Sequence, residues 1–339
     1  MFGRYAAMIT IIQMPTVPFD WMVQRPQHLM SSLSKKNCLV YYIEDKDGNY
    51  IKKINDNLYV LSRDYDFNNV QLISPVILWA SCSNQVYNIN KYPHDYVVYD
   101  VVDNYSDEFS CWAQYAGEME MRADLIFTSA ENIYNYHKNR HQRVYLLNNA
   151  VDSDNFSLFK RNVPPDLPVG KKIVGYVGAI ATWFDWDTIN YITERKDVNF
   201  VFIGTLYGIT VPTVMKNNTF YLGHKEHSVL PFYINNFDCC IIPFKVTNMT
   251  NSCNPIKLYE YFSLAKPVVS TNMHELNKFS NLCYISPNRE TFLYNINMAL
   301  QENNWMLQNE RVKIALANNW NVRANYVLEV LNKEFNINL

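Results

Sequence analysis

The sequence lacks several features that would each assign it to a large class of proteins. It has no run of about 18 apolar residues, which argues against a transmembrane helix. The apolar start, Met1 to Met14, has no small-residue cleavage site, so we do not expect a signal peptide. Neither sign of charge is in excess: 30 Lys and Arg stand against 32 Asp and Glu, giving a formal net charge of −2. This balance argues against nucleic acid as a partner, because phosphate-backbone binding needs clustered basic residues.

Cysteine patterns and nucleotide fingerprints are also missing. The seven cysteines are odd in number, scattered and never spaced C-x-x-C, which predicts reduced thiols in a cytoplasmic protein and no structural zinc. The chain contains neither the P-loop pattern G-x-x-x-x-G-K-[ST] nor the dinucleotide fingerprint G-x-G-x-x-G. A P-loop kinase is therefore not expected.

Short apolar runs of strand type alternate with helical segments in both halves of the chain. The predicted strands cover 8–14, 38–44, 76–81, 96–102, 124–129 and 144–151, then 173–179, 199–204, 237–243 and 267–271. Helices are predicted over 23–35 and 131–140, from about 185, and over 310–331. Strands separated by helices predict an α/β fold with parallel, doubly wound sheets. A length of 339 residues suits two such domains.

The domain bounds follow from composition. We predict an N-terminal domain over 1–157 and a linker over 158–172, which contains three prolines. A second domain follows over 173–315, and residues 316–339 form a C-terminal helix that returns to the first domain. Six of the nine glycines fall between Gly170 and Gly223, so the second domain is the predicted nucleotide-binding half, since glycine lets a backbone approach a ligand closely.

The stretch from Asn254 to Glu260 carries the most specific chemistry. Asn254 is a good N-cap and Pro255 a good first helical residue, so a helix is predicted to begin here. A helix N-terminus with Lys257 on its first turn suits a diphosphate. Glu260 lies about 9 Å along the axis, roughly the distance from a diphosphate to a ribose. The alternative is a capped surface helix with an ordinary Lys/Glu pair.

Several blocks resemble, in order, the family 4 type of glycosyltransferases, and among them the bacterial capsule and teichuronic-acid branch. The donor-site signature is similar to residues 254–271, from Asn-Pro-Ile-Lys-Leu-Tyr-Glu to Val-Val-Ser-Thr. The other blocks are 24–29 (Gln-Arg-Pro-Gln-His-Leu), 99–104 (Tyr-Asp-Val-Val-Asp-Asn), 148–152, 175–180, 183–185 and 242–244. The resemblance implies two facing Rossmann-like domains, the GT-B architecture, and no metal or other cofactor beyond the nucleotide-sugar co-substrate.

The resemblance also implies roles for individual residues. The catalytic candidates are Asp103, Lys257 and Glu260, and the acceptor side is formed by Arg25, His28 and Asp103. The donor-binding set comprises Gly178, Ala179, Thr182, Lys245, Thr250, Ser252, Asn254, Pro255, Ile256, Lys257 and Glu260. Two departures stand out: Ser252 occupies the position of the family's first glutamate, and the loop over 181–184 lacks its usual basic pair.

The function implied is that of a hexosyltransferase type of enzyme with a UDP-sugar donor. It would act with retention of anomeric configuration on a saccharide or lipid-linked acceptor in cell-surface polysaccharide synthesis. A lipid-linked acceptor would bring this cytoplasmic protein to the inner face of the membrane. The missing carboxylate at Ser252 keeps open a catalytically silent GT-B-like scaffold protein as the alternative. An epimerase or a phosphorylase is a third, weaker hypothesis.

Two patterns could indicate a metal but have a simpler interpretation. Asp185-Trp186-Asp187 is a D-x-D sequence, but it follows a glycine-bearing strand and is predicted to open a helix, where acidic residues suit the dipole. His137 and His141 are four apart on a predicted helix, but there is no H-E-x-x-H pattern and no third ligand in the sequence. We therefore predict no metal site.

Overall fold

The alternating strands and helices of the chain form two α/β units. The computed structural model describes residues 8–36, 38–157, 162–210 and 216–337. Parts of the apolar start and of the predicted linker lie outside these described residues. Unit 1 comprises Met1–Asn149 and Trp320–Leu339, and unit 2 comprises Ala150–Asn319. Each unit has its own hydrophobic core. None of the described helices is both long enough and apolar enough to cross a membrane.

Unit 1 is built on a sheet that contains eight strands within the described residues. The strands are β1 (Ile9–Thr16), β2 (Cys38–Glu44), β3 (Ile51–Asn55), β4 (Leu58–Ser62), β5 (Val76–Ala80), β6 (Tyr96–Val101), β7 (Leu125–Thr128) and β8 (Val144–Leu146). Its helices are α1 (Arg25–Ser34), α2 (Ala113–Arg122), α3 (Glu131–His137) and the C-terminal helix (Trp320–Phe335), with 3-10 turns at Phe67–Asn69, Ser83–Lys91 and Asp107–Trp112. The order is β3-β4-β2-β1-β5-β6-β7-β8, and among the described pairs only that of β3 with β4 is antiparallel.

Unit 2 has a parallel sheet of six strands in the part of the chain that is described. The strands of unit 2 are β9 (Lys172–Val177), β10 (Ile180–Ala181), β11 (Val198–Ile203), β12 (Leu206–Tyr207), β13 (Thr219–Tyr221), β14 (Cys239–Ile242), β15 (Val268–Thr271) and β16 (Cys283–Ser286). Its helices are α4 (Trp186–Ile192), α5 (Leu230–Asn235), α6 (Asn248–Asn251), α7 (Ile256–Ser263), α8 (His274–Asn277), α9 (Arg289–Gln301) and α10 (Trp305–Ala317), with a 3-10 turn at His227–Val229.

The strand order in unit 2 locates the place where a ligand is expected. The main sheet runs β13-β11-β9-β14-β15-β16, while β10 and β12 pair separately. Relative to the chain, the first strand β9 lies beside the fourth strand β14, so the order reverses between them. In open α/β sheets, ligands bind outside the carboxyl ends of the strands at such a reversal.

The predicted α/β class with parallel sheets is confirmed, and the C-terminal helix packs in unit 1 as predicted. There, the Arg323 side chain donates from Nε to the carbonyl oxygen of Asn148 at 2.8 Å. The single helix predicted over 310–331 was wrong, because it is interrupted at Asn318 and Asn319. The Val151 N–H donates to the carbonyl oxygen of Asn318 at 3.0 Å, a partner 167 residues distant that no local pattern reveals. The strand predicted over 144–151 is also shorter than expected and ends at Leu146.

A buried ion pair supports the C-terminal part of unit 2, and its loss should be costly. The guanidinium of Arg311 on α10 binds both carboxylate oxygens of Glu302 and donates to the carbonyl oxygen of Leu282 at 2.9 Å. We expect Arg311→Met to lower the free energy of unfolding by about 3–5 kcal/mol, because Glu302 would stay buried without its partner. Denaturant titration followed by circular dichroism measures this loss.

The matched control lies on the same helix. Lys313 pairs with Glu310 at the surface, and its side chain is 69% exposed. Lys313→Met should change the free energy of unfolding by no more than about 0.5 kcal/mol. Equal effects of the two substitutions would show that the Arg311–Glu302 pair does not support the fold.

Candidate functional site

The loop that follows β9 contacts the loop that follows β14. The backbone N–H of Lys245 donates to the carbonyl oxygen of Trp183 at 2.8 Å, and Phe184 bridges Phe244. Helix α7 is tied to the same place, because the hydroxyl of Tyr261 accepts a hydrogen bond of 2.9 Å from the N–H of Val177. The first turn of α7 therefore lies where the strand order of unit 2 reverses.

Lys257 on that first turn brings a positive charge to the reversal point. Its ammonium nitrogen lies 4.7 Å from the ring centroid of Phe244 and 5.6 Å from that of Tyr176, both within cation–π range. Burial lowers the pKa of Lys257, although the charges of Cys253 and Glu260 oppose that effect. Of the described residues, none accepts a hydrogen bond from this ammonium, so its three N–H donors can serve a ligand.

Gly178 makes room for that lysine directly after β9. Its φ is +136°, a region that favours glycine, and a Cβ atom there would lie 3.0 Å from Cε of Lys257. Gly204, at the end of β11 with φ +149°, packs on the same peptide, since a Cβ there would lie 1.9 Å from the oxygen of Gly178. Any larger residue at Gly204 would clash with the Gly178 peptide and force one of the two backbones to move.

The helix begins one residue later than the sequence predicted. Pro255 takes the N-cap position with an extended backbone, and Ile256 is the first helical residue. Asn254, the predicted cap, lies before it, and its side-chain amide donates to Glu275 Oε2 at 2.9 Å and to the Tyr259 hydroxyl at 3.2 Å. Asn254 therefore fixes the segment before the helix through Tyr259, on the helix itself, and Glu275, which is 21 residues distant.

Glu260 lies one turn beyond Lys257, and only 10% of its side chain is exposed. Its Oε1 is 3.5 Å from Nε2 of His227, in the turn that follows β13. His227, Tyr176 and Phe244 are not among the predicted site residues, although Tyr176 and Phe244 each lie in a matching block. Two of them are part of apolar runs and the third is a lone loop histidine, so no local pattern marks them as neighbours of Lys257 or Glu260.

The other predicted donor residues fall into two groups. Ala179 and Thr182 follow Gly178 on the loop after β9, where the Ala179 carbonyl oxygen accepts from the Tyr176 hydroxyl at 2.6 Å and Thr182 is exposed. Lys245 has an exposed side chain after β14. Thr250 and Ser252 are buried, and the Thr250 hydroxyl donates to the carbonyl oxygen of Lys245 at 2.5 Å. The position that departs from the family's glutamate thus lies inside unit 2.

Arg25 in unit 1 has a different place from the one predicted. It is 1% exposed, and its guanidinium donates to both carboxylate oxygens of Asp100 at 2.8 and 2.6 Å and to the carbonyl oxygen of Leu147 at 2.7 Å. This bidentate pair joins α1 to β6 in the interior of the unit. The prediction that Arg25 faces the acceptor was therefore wrong, because the side chain is buried and paired. The sequence did not reveal this pairing, since Asp100 lies 75 residues away.

His28 and Asp103 are the other two acceptor-side candidates in unit 1. The imidazole of His28 stacks on the indole of Trp320, with ring centroids 5.3 Å apart. Asp103 follows β6 and is partly exposed. Burial raises the pKa of its carboxyl group to about 6, and the positive charge of Arg25 partly offsets this. A carboxyl group with such a pKa can exchange a proton near neutral pH.

The two patterns that could have indicated a metal have structural partners. Asp185 is the N-cap of α4, where its carboxylate accepts from the Thr188 N–H at 3.2 Å and from the Thr188 hydroxyl at 2.6 Å. His137 is buried and faces the Glu120 carboxylate at 3.1 Å, whereas His141 lies beyond the end of α3 against the carbonyl oxygen of Ala123 at 3.0 Å.

Comparison with known proteins identifies the fold. No family model matches the chain, and no curated protein matches it. Among solved structures, the chain is similar to sucrose-phosphate synthase from Thermosynechococcus elongatus, with a TM-score of 0.73, 11% identity and coverage of 97% of this chain and 99% of that one.

Two further similar structures belong to a second group of enzymes. A trehalose-6-phosphate synthase studied for glycosyl transfer with retention matches with a TM-score of 0.66, 12% identity and coverage of 96% and 99%. The α,α-trehalose-phosphate synthase (UDP-forming) from Burkholderia xenovorans, solved with glucose-6-phosphate, matches with a TM-score of 0.65, 10% identity and coverage of 95% and 99%. The fold is therefore that of GT-B glycosyltransferases, as the resemblance implied.

The raised pKa of Asp103 predicts a specific pH dependence of stability. Since the folded state holds this proton up to about pH 6 and the unfolded state only to about 3.8, this group lowers the free energy of unfolding as pH rises between those values. Asp103→Asn, which cannot ionise, should make the protein more stable than the original at pH 7.5. The difference should vanish near pH 4.

Urea titrations between pH 4 and 8 measure this difference. Asp20→Asn is the control, because that side chain is 73% exposed and pairs with Lys52 at the surface. The difference in free energy of unfolding between Asp20→Asn and the original protein should stay small at every pH. An Asp103→Asn curve parallel to that of the original protein over the whole range would contradict the raised pKa of Asp103.

Proposed function

We propose that this protein is a glycosyltransferase that uses a nucleotide sugar, a UDP-sugar above all, and binds the donor diphosphate in unit 2. The observation that carries the proposal is the position of Lys257. Its side chain lies where the strand order of a Rossmann-type sheet reverses, at the start of α7. It packs next to Gly178, which has no side chain to obstruct a ligand. Helix N-termini and strand-order reversals are both preferred sites for phosphate groups.

The same arrangement suits the chemistry of sugar transfer. When the bond between the sugar and the diphosphate breaks, negative charge builds up on the departing phosphate. The Lys257 ammonium and the N-terminal N–H groups of α7 would stabilise that charge, a contribution that is large in a water-poor site. In this proposal the lysine takes over the role of the basic pair that the loop over 181–184 lacks. Glu260, one turn further along α7, would accept hydrogen bonds from the ribose hydroxyls.

UDP as the leaving group and retention of configuration are supported by the neighbours of this fold. One of them is described as UDP-forming and another as an enzyme of transfer with retention. The ordered sequence blocks point to the same donor class. Retention also fits a sequence with no evident catalytic dyad, since the departing phosphate would itself take the acceptor proton.

The acceptor is proposed to be a saccharide or a lipid-linked saccharide of a cell-surface polysaccharide. The resemblance to the capsule and teichuronic-acid branch supports this class. Asp103 and His28 in unit 1 are the residues we propose to contact it, with Asp103 nearest to the accepting hydroxyl. A hexose phosphate is the second acceptor to test, because a structure of the same fold was solved with glucose-6-phosphate.

Replacement of Lys257 tests the donor site. We expect Lys257→Met to weaken UDP binding by about 10- to 100-fold, which is the loss of one or two hydrogen bonds to a charged group. Turnover of UDP-sugars should fall by about 100-fold or more, since charge stabilisation of the leaving group would be lost. Thermal stability without ligand should stay equal or rise, because burial disfavours the charged form of this lysine. Thermal shift with UDP and mass-spectrometric donor assays measure these effects.

Lys266 provides a matched control in the same unit. Burial also lowers its pKa, but its ammonium donates to the carbonyl oxygens of Asn235 at 2.7 Å and Phe237 at 2.9 Å. Lys266→Met should therefore lower thermal stability and leave the stabilisation by UDP intact. Wild-type UDP affinity and turnover in Lys257→Met would refute the proposed donor site. UDP binding without transfer to any saccharide, lipid-linked or hexose phosphate acceptor would favour the scaffold alternative.

A further inference from the structure

His227 is held in place by Asn155 and Phe156, near the beginning of unit 2. The side-chain amide nitrogen of Asn155 donates to the carbonyl oxygen of His227 at 2.9 Å, and the Phe156 ring lies 5.2 Å from the imidazole centroid. The histidine side chain is only 17% exposed. Its ring is thus fixed by a backbone contact and by ring packing before any ligand arrives.

The same amide also determines which ring nitrogen carries the proton. The Asn155 Nδ2 lies 3.4 Å from Nδ1 of His227. An amide NH₂ group can only donate, so Nδ1 must accept, and in the neutral imidazole the proton then lies on Nε2. Nε2 is the nitrogen that faces Glu260 Oε1 at 3.5 Å. The contacts of Asn155 therefore place the protonated ring nitrogen beside one oxygen of the carboxylate, at a distance longer than an ordinary hydrogen bond.

This contact puts the imidazole beside the Glu260 carboxylate without occupying the carboxylate fully. A carboxylate has about four acceptor sites, and an N–H at 3.5 Å from one oxygen leaves both oxygens able to accept shorter bonds. Two neighbouring hydroxyl groups, such as the 2′ and 3′ hydroxyls of a ribose, require both oxygens in a defined plane. A carboxylate free to rotate would satisfy one hydroxyl at a time.

We propose that His227 is a positioning residue that holds Glu260 ready for a vicinal diol and thereby makes unit 2 selective for ribonucleotides over 2′-deoxyribonucleotides. The inference rests on the proposed function, because it takes Glu260 to be the ribose contact. Asn155 sets the proton of His227, His227 orients Glu260, and Glu260 binds the two hydroxyl groups. A site with two oriented acceptors rejects the deoxy analogue strongly, since one buried acceptor is then left unpaired.

The test compares UDP with 2′-deoxy-UDP by isothermal titration calorimetry. We expect the unaltered protein to prefer UDP by about tenfold or more. In His227→Phe, which keeps a ring against Phe156 but has no donor, the preference should fall toward one, while the affinity for 2′-deoxy-UDP changes little. His227→Gln, whose amide nitrogen can replace Nε2, should recover most of the preference. If His227 had a purely structural role, His227→Phe would lower the affinity for both nucleotides equally and leave the ratio of the two affinities unchanged.

Two results would overturn this inference while leaving the proposed function intact. They are equal affinity of the unaltered protein for the two nucleotides, and a wild-type preference in His227→Phe. No binding of UDP to the unaltered protein would overturn the proposed function and this inference with it. If His227→Phe does not fold, Asn155→Leu decides the matter, because it removes the amide that sets the ring proton and should also reduce the preference.

Discussion

The ammonium of Lys257 lies over two aromatic rings at the point where the strand order of unit 2 reverses. Burial disfavours its charge, which is the cost of placing a cation there without a carbonyl or carboxylate partner among the described residues. The surrounding structure is organised around this constraint. Gly178 and Gly204 adopt conformations that favour glycine, and α7 is tied to β9 through Tyr261. An anion at this place would offset the cost of the buried charge, which is why we interpret this arrangement as a binding site.

The fold alone does not assign this function. The similar structures share 9% to 12% identity with the chain, so they establish the architecture and leave the site to be argued from its own residues. In unit 2 each of these residues is positioned by another one. Lys257 and Glu260 are placed by one helix, and Glu260 is faced by a histidine that the beginning of the unit holds in place. The departure at Ser252 lies at a buried position of the same unit.

Local pattern predicted most of the fold and placed two of the candidate site residues on one helix. Buried parallel strands are apolar runs, so β2 was located to the residue, and Lys257 and Glu260 were found because they share a helix start. The hairpin of β3 and β4 escaped notice because Ile51 to Ile54 are all exposed and show no alternation. The break at Asn318, the pair of Arg25 with Asp100 and the ring contacts of Lys257 depend on partners that are distant in sequence. Periodicity and spacing carry no information on such partners.

Protection of Cys253 by a nucleotide tests the central claim most directly. This partly exposed cysteine lies four residues before Lys257, close enough for its charge to act on that lysine. The rate of alkylation by iodoacetamide is measured by peptide mass, with the exposed Cys111 of unit 1 as the internal control. We predict that saturating UDP slows alkylation of Cys253, that uridine at the same concentration does not, and that Cys111 reacts equally in all samples. Alkylation of Cys253 at the same rate with and without UDP would contradict a diphosphate site at Lys257.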